Sequence, residues 1–261
     1  MDWLTSTDQM GNKLSLAAVP QRIVSLVPSQ TELLYDLGLD DQVVGITKFC
    51  VRPEHWRKTK AIIGGTKKFD LEGIANLNPD LILGNKEENY PEGILKLREK
   101  FPVWMSDIAT LDQAISMVRS VGAMTDRRQQ GDELCSAIHM NFEQLERRPL
   151  RRALYMMWRN PWMGAGRNTF IHAMLAEAGF ENVLGEMERY PELTAGQMAE
   201  LDPEVVLLSS EPFPFADKHI PEVARLLPRA SIVLVDGEFF SWYGSRLRLA
   251  PEYFNSLMSR L

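Results

Sequence analysis

Ile74-Ala75-Asn76-Leu77-Asn78-Pro79-Asp80-Leu81-Ile82-Leu83 reads as a short helix, a proline turn and a buried strand. The same plan returns far along the chain in Met198-Ala199-Glu200-Leu201-Asp202-Pro203-Glu204-Val205-Val206-Leu207. Proline punctuates both copies at the same place, and the apolar run after it is bounded as a buried strand is. An echo this close, nearly residue for residue, is the mark of an internal repeat.

Two further echoes flank it in the same order. Arg22-Ile23-Val24-Ser25-Leu26-Val27 reads as a buried strand that meets Pro28-Ser29-Gln30 and then a helix from Thr31 to Gly38. Arg152 to Trp158 reads as its counterpart, meeting a longer loop, Arg159 to Asn168, and a helix from Thr169 to Ala178 stopped by Gly179. Gly38 and Gly179 stand where C-cap glycines belong. Ser29 or Thr31, and Asn168 or Thr169, are the expected N-caps. Pro91-Glu92 opens a helix leading to the strand Phe101 to Met105, and Pro221-Glu222 opens one leading to Ser231 to Val235.

Strands alternating with helices predict an α/β fold: two lobes with mostly parallel sheets. Between them, Leu111, Ala114, Ile115, Val118 and Val121 have helical spacing that stops near Gly122. A second helix starts near Thr125 or Asp126, places Leu134, Ile138, Phe142 and Leu145 on one face, and ends before Pro149. Over 126–147 it would be ~33 Å long at 1.5 Å per residue. Gly131 inside it costs ~1 kcal/mol relative to Ala. The expected division is 1–109 for the first lobe, 110–148 for connecting helices with this long backbone helix, and 149–261 for the second lobe. Leu4 to Ala18, with Gly11-Asn12 at its centre, reads as a hairpin.

At 261 residues the chain can bury a real core. Its net charge of -6 argues against nucleic acid as a partner, because such binders carry a basic excess. The arginines that do cluster, Arg147, Arg148, Arg151 and Arg152, suit a solvated helix end. No apolar stretch is long enough to span a bilayer. Met1 to Asp8 lacks the basic and apolar regions of a signal peptide. Cys50 and Cys135 are too few for a disulfide framework. Cys50 near His55 lacks a third ligand at zinc-type spacing, and the four histidines are scattered, so no metal site is expected. There is no dinucleotide fingerprint, nucleophile elbow or phosphate loop. Asp236 at a strand end has nothing beside it to complete a catalytic constellation.

The stretch Arg22 to Glu32, the Asn78-Pro79-Asp80-Leu81-Ile82-Leu83 strand, the loop Gly164-Ala165-Gly166-Arg167-Asn168-Thr169 and the turn Trp242-Tyr243-Gly244-Ser245-Arg246-Leu247 together resemble class III substrate-binding proteins. These are the helical-backbone metal receptors of ABC importers for cobalamin, haem and ferric siderophores, and the cobalamin-binding-like branch is the most similar. The resemblance spans nearly the whole chain. It implies a monomer that captures a corrinoid or other metal chelate in an interlobe cleft, with no enzymatic activity and no required cofactor. It also implies an ABC permease as partner, and a periplasmic or cell-surface location. A chain complete from Met1 would instead lie in the cytoplasm. That start keeps open an enzyme or cofactor-handling protein on the same fold, and an interaction module with a vestigial cleft.

Ligands of open α/β sheets bind beyond the carboxyl ends of the strands. The loops there are rich in large rings, which suit a flat or bulky apolar ligand. The candidate ligand contacts are Ser29, Gln30, Phe49, Cys50, Phe69, Trp158, Trp162, Arg167, Trp242, Tyr243 and Arg246. Rings that simply fill the cores are the alternative. Arg167 and Arg246 are expected to meet propionates, amides or a phosphate through the guanidinium fork, or else to form surface ion pairs. In the resembling importers one acidic residue per lobe docks onto permease arginines. Here that implies Glu87 or Glu88, and Glu211, with Glu92 and Glu222 as runners-up, against ordinary surface carboxylates.

Overall fold

The computed structural model describes residues 4–146 and 148–261. Met1, Asp2, Trp3 and Arg147 lie outside the described residues. With them go the first residues of the leader reading, the expected end of the connecting helix and one member of the arginine cluster. The chain forms two compact units. One holds the residues up to Ile108, then Asp112–Ala137 and Tyr243–Arg246; the other holds Ala109–Leu111, Ile138–Trp242 and Leu247–Leu261.

The first unit opens with β1 (Leu4–Thr7) and β2 (Lys13–Leu16), the expected antiparallel hairpin, with Leu4 opposite Leu16. Asp8 closes its turn by accepting the backbone N–H groups of Met10 and Asn12. Next come β3 (Ile23–Ser25), α1 (Pro28–Asp36), β4 (Val43–Ile46), α2 (Trp56–Thr59), β5 (Ala61–Ile62), β6 (Gly64–Gly65) and β7 (Lys68–Phe69). After these follow α3 (Leu71–Asn76), β8 (Leu81–Asn85), α4 (Pro91–Arg98) and β9 (Val103–Ser106). Its main sheet has the order β5-β4-β3-β8-β9, and every neighbouring pair is parallel. Central parallel strands are covered on both faces, which is why Leu81–Asn85 is an unbroken buried run.

Two helices follow, α5 (Leu111–Met124) and α6 (Arg128–Glu143). The second unit contains β10 (Arg151–Trp158), β11 (Trp162–Gly164), α7 (Phe170–Glu177), β12 (Phe180–Asn182), β13 (Glu192–Leu193) and α8 (Ala195–Glu200). It continues with β14 (Val205–Ser209), α9 (Ile220–Leu226), β15 (Ser231–Val235), α10 (Glu238–Ser241) and α11 (Ala250–Ser259). Here the sheet is mixed. β10 runs parallel to β14 and β12, and β14 parallel to β15, while β11 pairs antiparallel with β10 and β13. Leu154, Met156, Met198, Val206, Leu208 and Val223 form its core. Each fully buried aliphatic side chain contributes about 1.5–3 kcal/mol.

The repeat seen in the sequence holds at atomic detail. Asn78 and Asp202, which precede the matched prolines, share a left-handed φ of 44°. The Arg22 side chain donates to the carbonyl of Leu77, and the Arg152 side chain to that of Leu201. The Asp80 carboxylate accepts the Arg22 N–H, and the Glu204 carboxylate accepts the Arg152 N–H. In both units an arginine at the start of the first strand and an acid after the proline thus lock the turn to the sheet.

Several boundaries differ from the sequence reading. The N-terminus of α1 lies at Val27, with no side-chain cap, so Ser29 and Thr31 are inside the helix. The Thr31 hydroxyl donates backwards to the Val27 carbonyl. In the matching α7, Thr169 caps as expected by accepting the His172 N–H. Gly38 and Gly179 take the left-handed φ values of 73° and 86° that end their helices. The first connecting helix runs past Gly122 to Met124, and α6 is 16 residues long rather than extending over 126–147. Asp126 at φ 55° breaks the chain between them, and Thr125 turns back to donate to Val121 rather than capping α6.

Candidate functional site

In the first unit, the strand ends are organised by a buried polar network. The Gln30 amide donates to the Gly84 carbonyl at 3.1 Å and to the Ser106 hydroxyl at 2.7 Å. Asn85 donates to the same hydroxyl at 3.0 Å, while its Oδ1 accepts the N–H groups of Glu87 and Glu88. Asn89 accepts the Asn85 N–H and donates to the Thr66 carbonyl. Gln30 therefore joins β8, β9 and α1 within the interior, where none of its surface is left for a ligand. Cys50 is equally enclosed, with its sulfur 3.0 Å from the Thr31 hydroxyl, and burial pushes its thiol up from the usual range. Phe69 packs against Tyr90 at 4.6 Å and is likewise covered, and Ser29 is buried. Phe49 is the candidate of this unit that stands open, 52% exposed, with the Lys48 ammonium 5.1 Å from its ring.

Arg246 also belongs to the first unit. Its guanidinium forms a bidentate ion pair with Glu32 of α1, with Nε 2.9 Å from Oε2. Arg246 is 8% exposed, so the pair is largely desolvated. Burial raises the Glu32 carboxyl above its ordinary value more than the arginine lowers it. Tyr243 beside it is buried too. Glu87 and Glu88 sit half-buried on the turn that the two asparagines build.

The second unit gathers its rings at the carboxyl ends of β10 and β14. The register of β10 with β11 shifts between Met156 and Trp158, and such irregularities re-aim the side chain that follows. Trp158, 39% exposed, meets Phe213 edge-on at 6.0 Å. Trp162 lies parallel to Phe215 at 6.4 Å. Phe213 and Phe215 contact each other at 4.7 Å, and both face the buried His219. The Phe213 N–H donates to the Met157 carbonyl, which ties the loop after β14 to the end of β10. Trp158 and Trp162 are thus brought into one shelf. Arg159, which the sequence reading passed over, lies 5.9 Å from the Trp162 ring centre and pairs with Glu222. Its signal was its place between two tryptophans in a short hairpin loop.

Two other candidates stand apart from this shelf. Arg167 is exposed and paired with the exposed Glu188 at 3.0 Å. Trp242 is buried and donates its indole N–H to Glu211 at 3.0 Å, and Ser241 donates to the same oxygen at 2.5 Å. Glu211 is therefore turned toward its own unit, and burial raises its carboxyl above the usual range. Among the described residues, no group of three or more His, Cys, Asp or Glu is placed to hold a metal ion. Nor is any helix among them long and apolar enough to cross a membrane.

Residues 23–224 match the family described as periplasmic binding protein. A vitamin B12-binding protein of Pectobacterium carotovorum subsp. carotovorum (strain PC1) is 23% identical over 255 residues, spanning 94% of this chain and 90% of the relative. The periplasmic vitamin B12 binding protein of Vibrio cholerae superposes with a TM-score of 0.80 at 19% identity, over 93% of this chain and 98% of that one. A periplasmic heme-binding protein from Roseiflexus sp. RS-1, in apo form, gives 0.74 at 24% identity, over 92% and 97%. At these identities the structural likeness speaks for the fold.

Proposed function

The chain belongs to the periplasmic binding protein family, and from that premise we propose that it captures a corrinoid, or a related chelate such as haem or a ferric siderophore, as the substrate-binding component of an ABC importer. The observation that carries the choice of ligand is the shelf of Trp158, Trp162 and Phe213 at the strand ends of the second unit, backed by Phe215, which is buried in the core. Large rings in loops that are usually polar suit a flat apolar face, and each stacked pair adds about 0.5–1.5 kcal/mol beyond area burial. Phe49 offers a further open ring in the first unit. The names of the similar proteins, which bind vitamin B12 and heme, support the same chemical class. The protein acts by binding alone, with no catalytic step. Glu87 and Glu88, half-buried on their asparagine-built turn, are the carboxylates that meet basic residues of the permease; Glu211 is turned to Trp242 and Ser241.

Titration with cyanocobalamin, haemin and a ferric hydroxamate, followed by absorbance and tryptophan quenching, tests this reading. Saturable binding of at least one at micromolar or lower concentration is expected. Absence of binding to all three would overturn it.

A further inference from the structure

The loop between β10 and β11 carries a bidentate ion pair beside the aromatic shelf. Arg159 donates through Nε to Glu222 Oε2 at 2.9 Å and through Nη2 to Glu222 Oε1 at 3.1 Å. The acid comes from the first turn of α9, so the pair spans two separate elements of the second unit. This side-on geometry uses two of the three guanidinium nitrogens, while Nη1 carries no hydrogen bond among the described residues. The arginine side chain is 29% exposed, and its Cζ lies 5.9 Å from the centre of the Trp162 ring. A guanidinium fixed on one edge by a carboxylate keeps a rigid, directed pair of N–H donors on the other. Those donors stand at the rim of an aromatic shelf whose outermost ring, Trp158, is open to solvent.

We infer that Arg159 is a specificity-determining ligand contact, and that Glu222 is the residue that positions it. The shelf takes the apolar face of the ligand, and Nη1 of Arg159 donates to an acceptor oxygen on its periphery, a carboxylate or an amide carbonyl. This inference rests on the proposed capture of a chelate. It moves recognition of peripheral oxygens to Arg159 from Arg246 and Arg167, whose guanidinium groups face Glu32 and Glu188. It also removes Glu222 from the carboxylates offered to the permease, because Arg159 already holds both of its oxygens.

The test compares dissociation constants of the whole chain for haemin, haemin dimethyl ester and cyanocobalamin, in wild type, Arg159→Ala, Arg159→Lys and Glu222→Gln. The two haemins share one ring face and differ in whether the peripheral oxygens are charged. Wild type is expected to prefer haemin over its ester, with the preference weakening at high salt. Arg159→Ala is expected to lose tenfold or more on haemin and on any cyanocobalamin binding, and to bring the haemin-to-ester ratio close to one. Arg159→Lys keeps the charge without the fork and falls between. Glu222→Gln reduces the haemin preference while leaving binding of the ester within about threefold, a pattern that general loss of structure would not produce. Melting curves of each variant identify any that has simply unfolded, and the lysine variant then carries the comparison. Arginine variants that bind like wild type, or that lose equally on haemin and ester, would overturn the inference while leaving chelate capture intact. A wild type that binds none of these probes overturns the inference, and one that also fails to bind the ferric hydroxamate overturns chelate capture as well.

Discussion

Glu32 and Arg246 show how far apart in the chain two members of one interaction can lie. Both motifs that contain them were legible, Pro28-Ser29-Gln30-Thr31-Glu32 and Trp242 to Leu247, but nothing in their spacing joined them. The fold places the guanidinium against the carboxylate and encloses both. Removing one member of a buried pair leaves an uncompensated charge, which costs about 3–5 kcal/mol. Arg246→Ala should therefore lower stability by that amount near pH 7, as read by urea unfolding. The cost should shrink with acid. Burial already raises the folded Glu32 carboxyl above its reference value of 4.5, and losing Arg246 removes what lowers it. The unfolded chain is the same in both proteins, so the extra penalty is present where the wild-type carboxyl is ionised and fades as pH falls through its folded value, which lies above 4.5. A cost independent of pH between 4 and 7 would contradict this account.

Helices and strands were legible to the extent that their signals are local. Periodicity, proline turns and C-terminal glycines lie within a few residues of what they control, and the matched Asn78 and Asp202 turns follow from them. Helix ends were harder. Gly122 looked like a stop, yet α5 passes through it, because its missing side chain serves packing rather than termination. A Cβ on Gly122 would meet the Arg127 carbonyl oxygen at 2.9 Å and the Gly131 Cα at 3.4 Å. Gly131 faces it across the helix pair with more room, its nearest neighbours being at 3.5 Å. The two glycines should respond oppositely to alanine. Gly122→Ala should destabilise by about 1–3 kcal/mol through overpacking. Gly131→Ala should be neutral or stabilise by up to ~1 kcal/mol through helix propensity. Thermal unfolding of the two variants decides it, and equal effects would refute the close crossing.

For the molecule as a whole, capture of a ligand by the folded state alone must raise stability by mass action. A chelate held at 100 times its dissociation constant should stabilise the chain by about 2.7 kcal/mol, seen as a higher melting temperature that keeps rising with ligand concentration. No shift at saturating haemin, cyanocobalamin or ferric hydroxamate would agree with no binding. The two-unit α/β plan could be read along the chain, because strand burial, helix periodicity and punctuation repeat at matched positions, and the family was legible as a resemblance of four short motifs. Net charge, a property of the whole chain, argued only against nucleic acid as a partner. Which candidate side chains are open could not be read that way. Gln30, Cys50 and Trp242 sit in motifs as conspicuous as that of Trp158, yet the folded chain encloses them and leaves Trp158 exposed. The facing acid of each arginine lies equally beyond spacing: Glu222 for Arg159, Glu32 for Arg246, Glu188 for Arg167. Exposure and ion pairing depend on which distant elements pack together, and packing acts through space rather than along the chain.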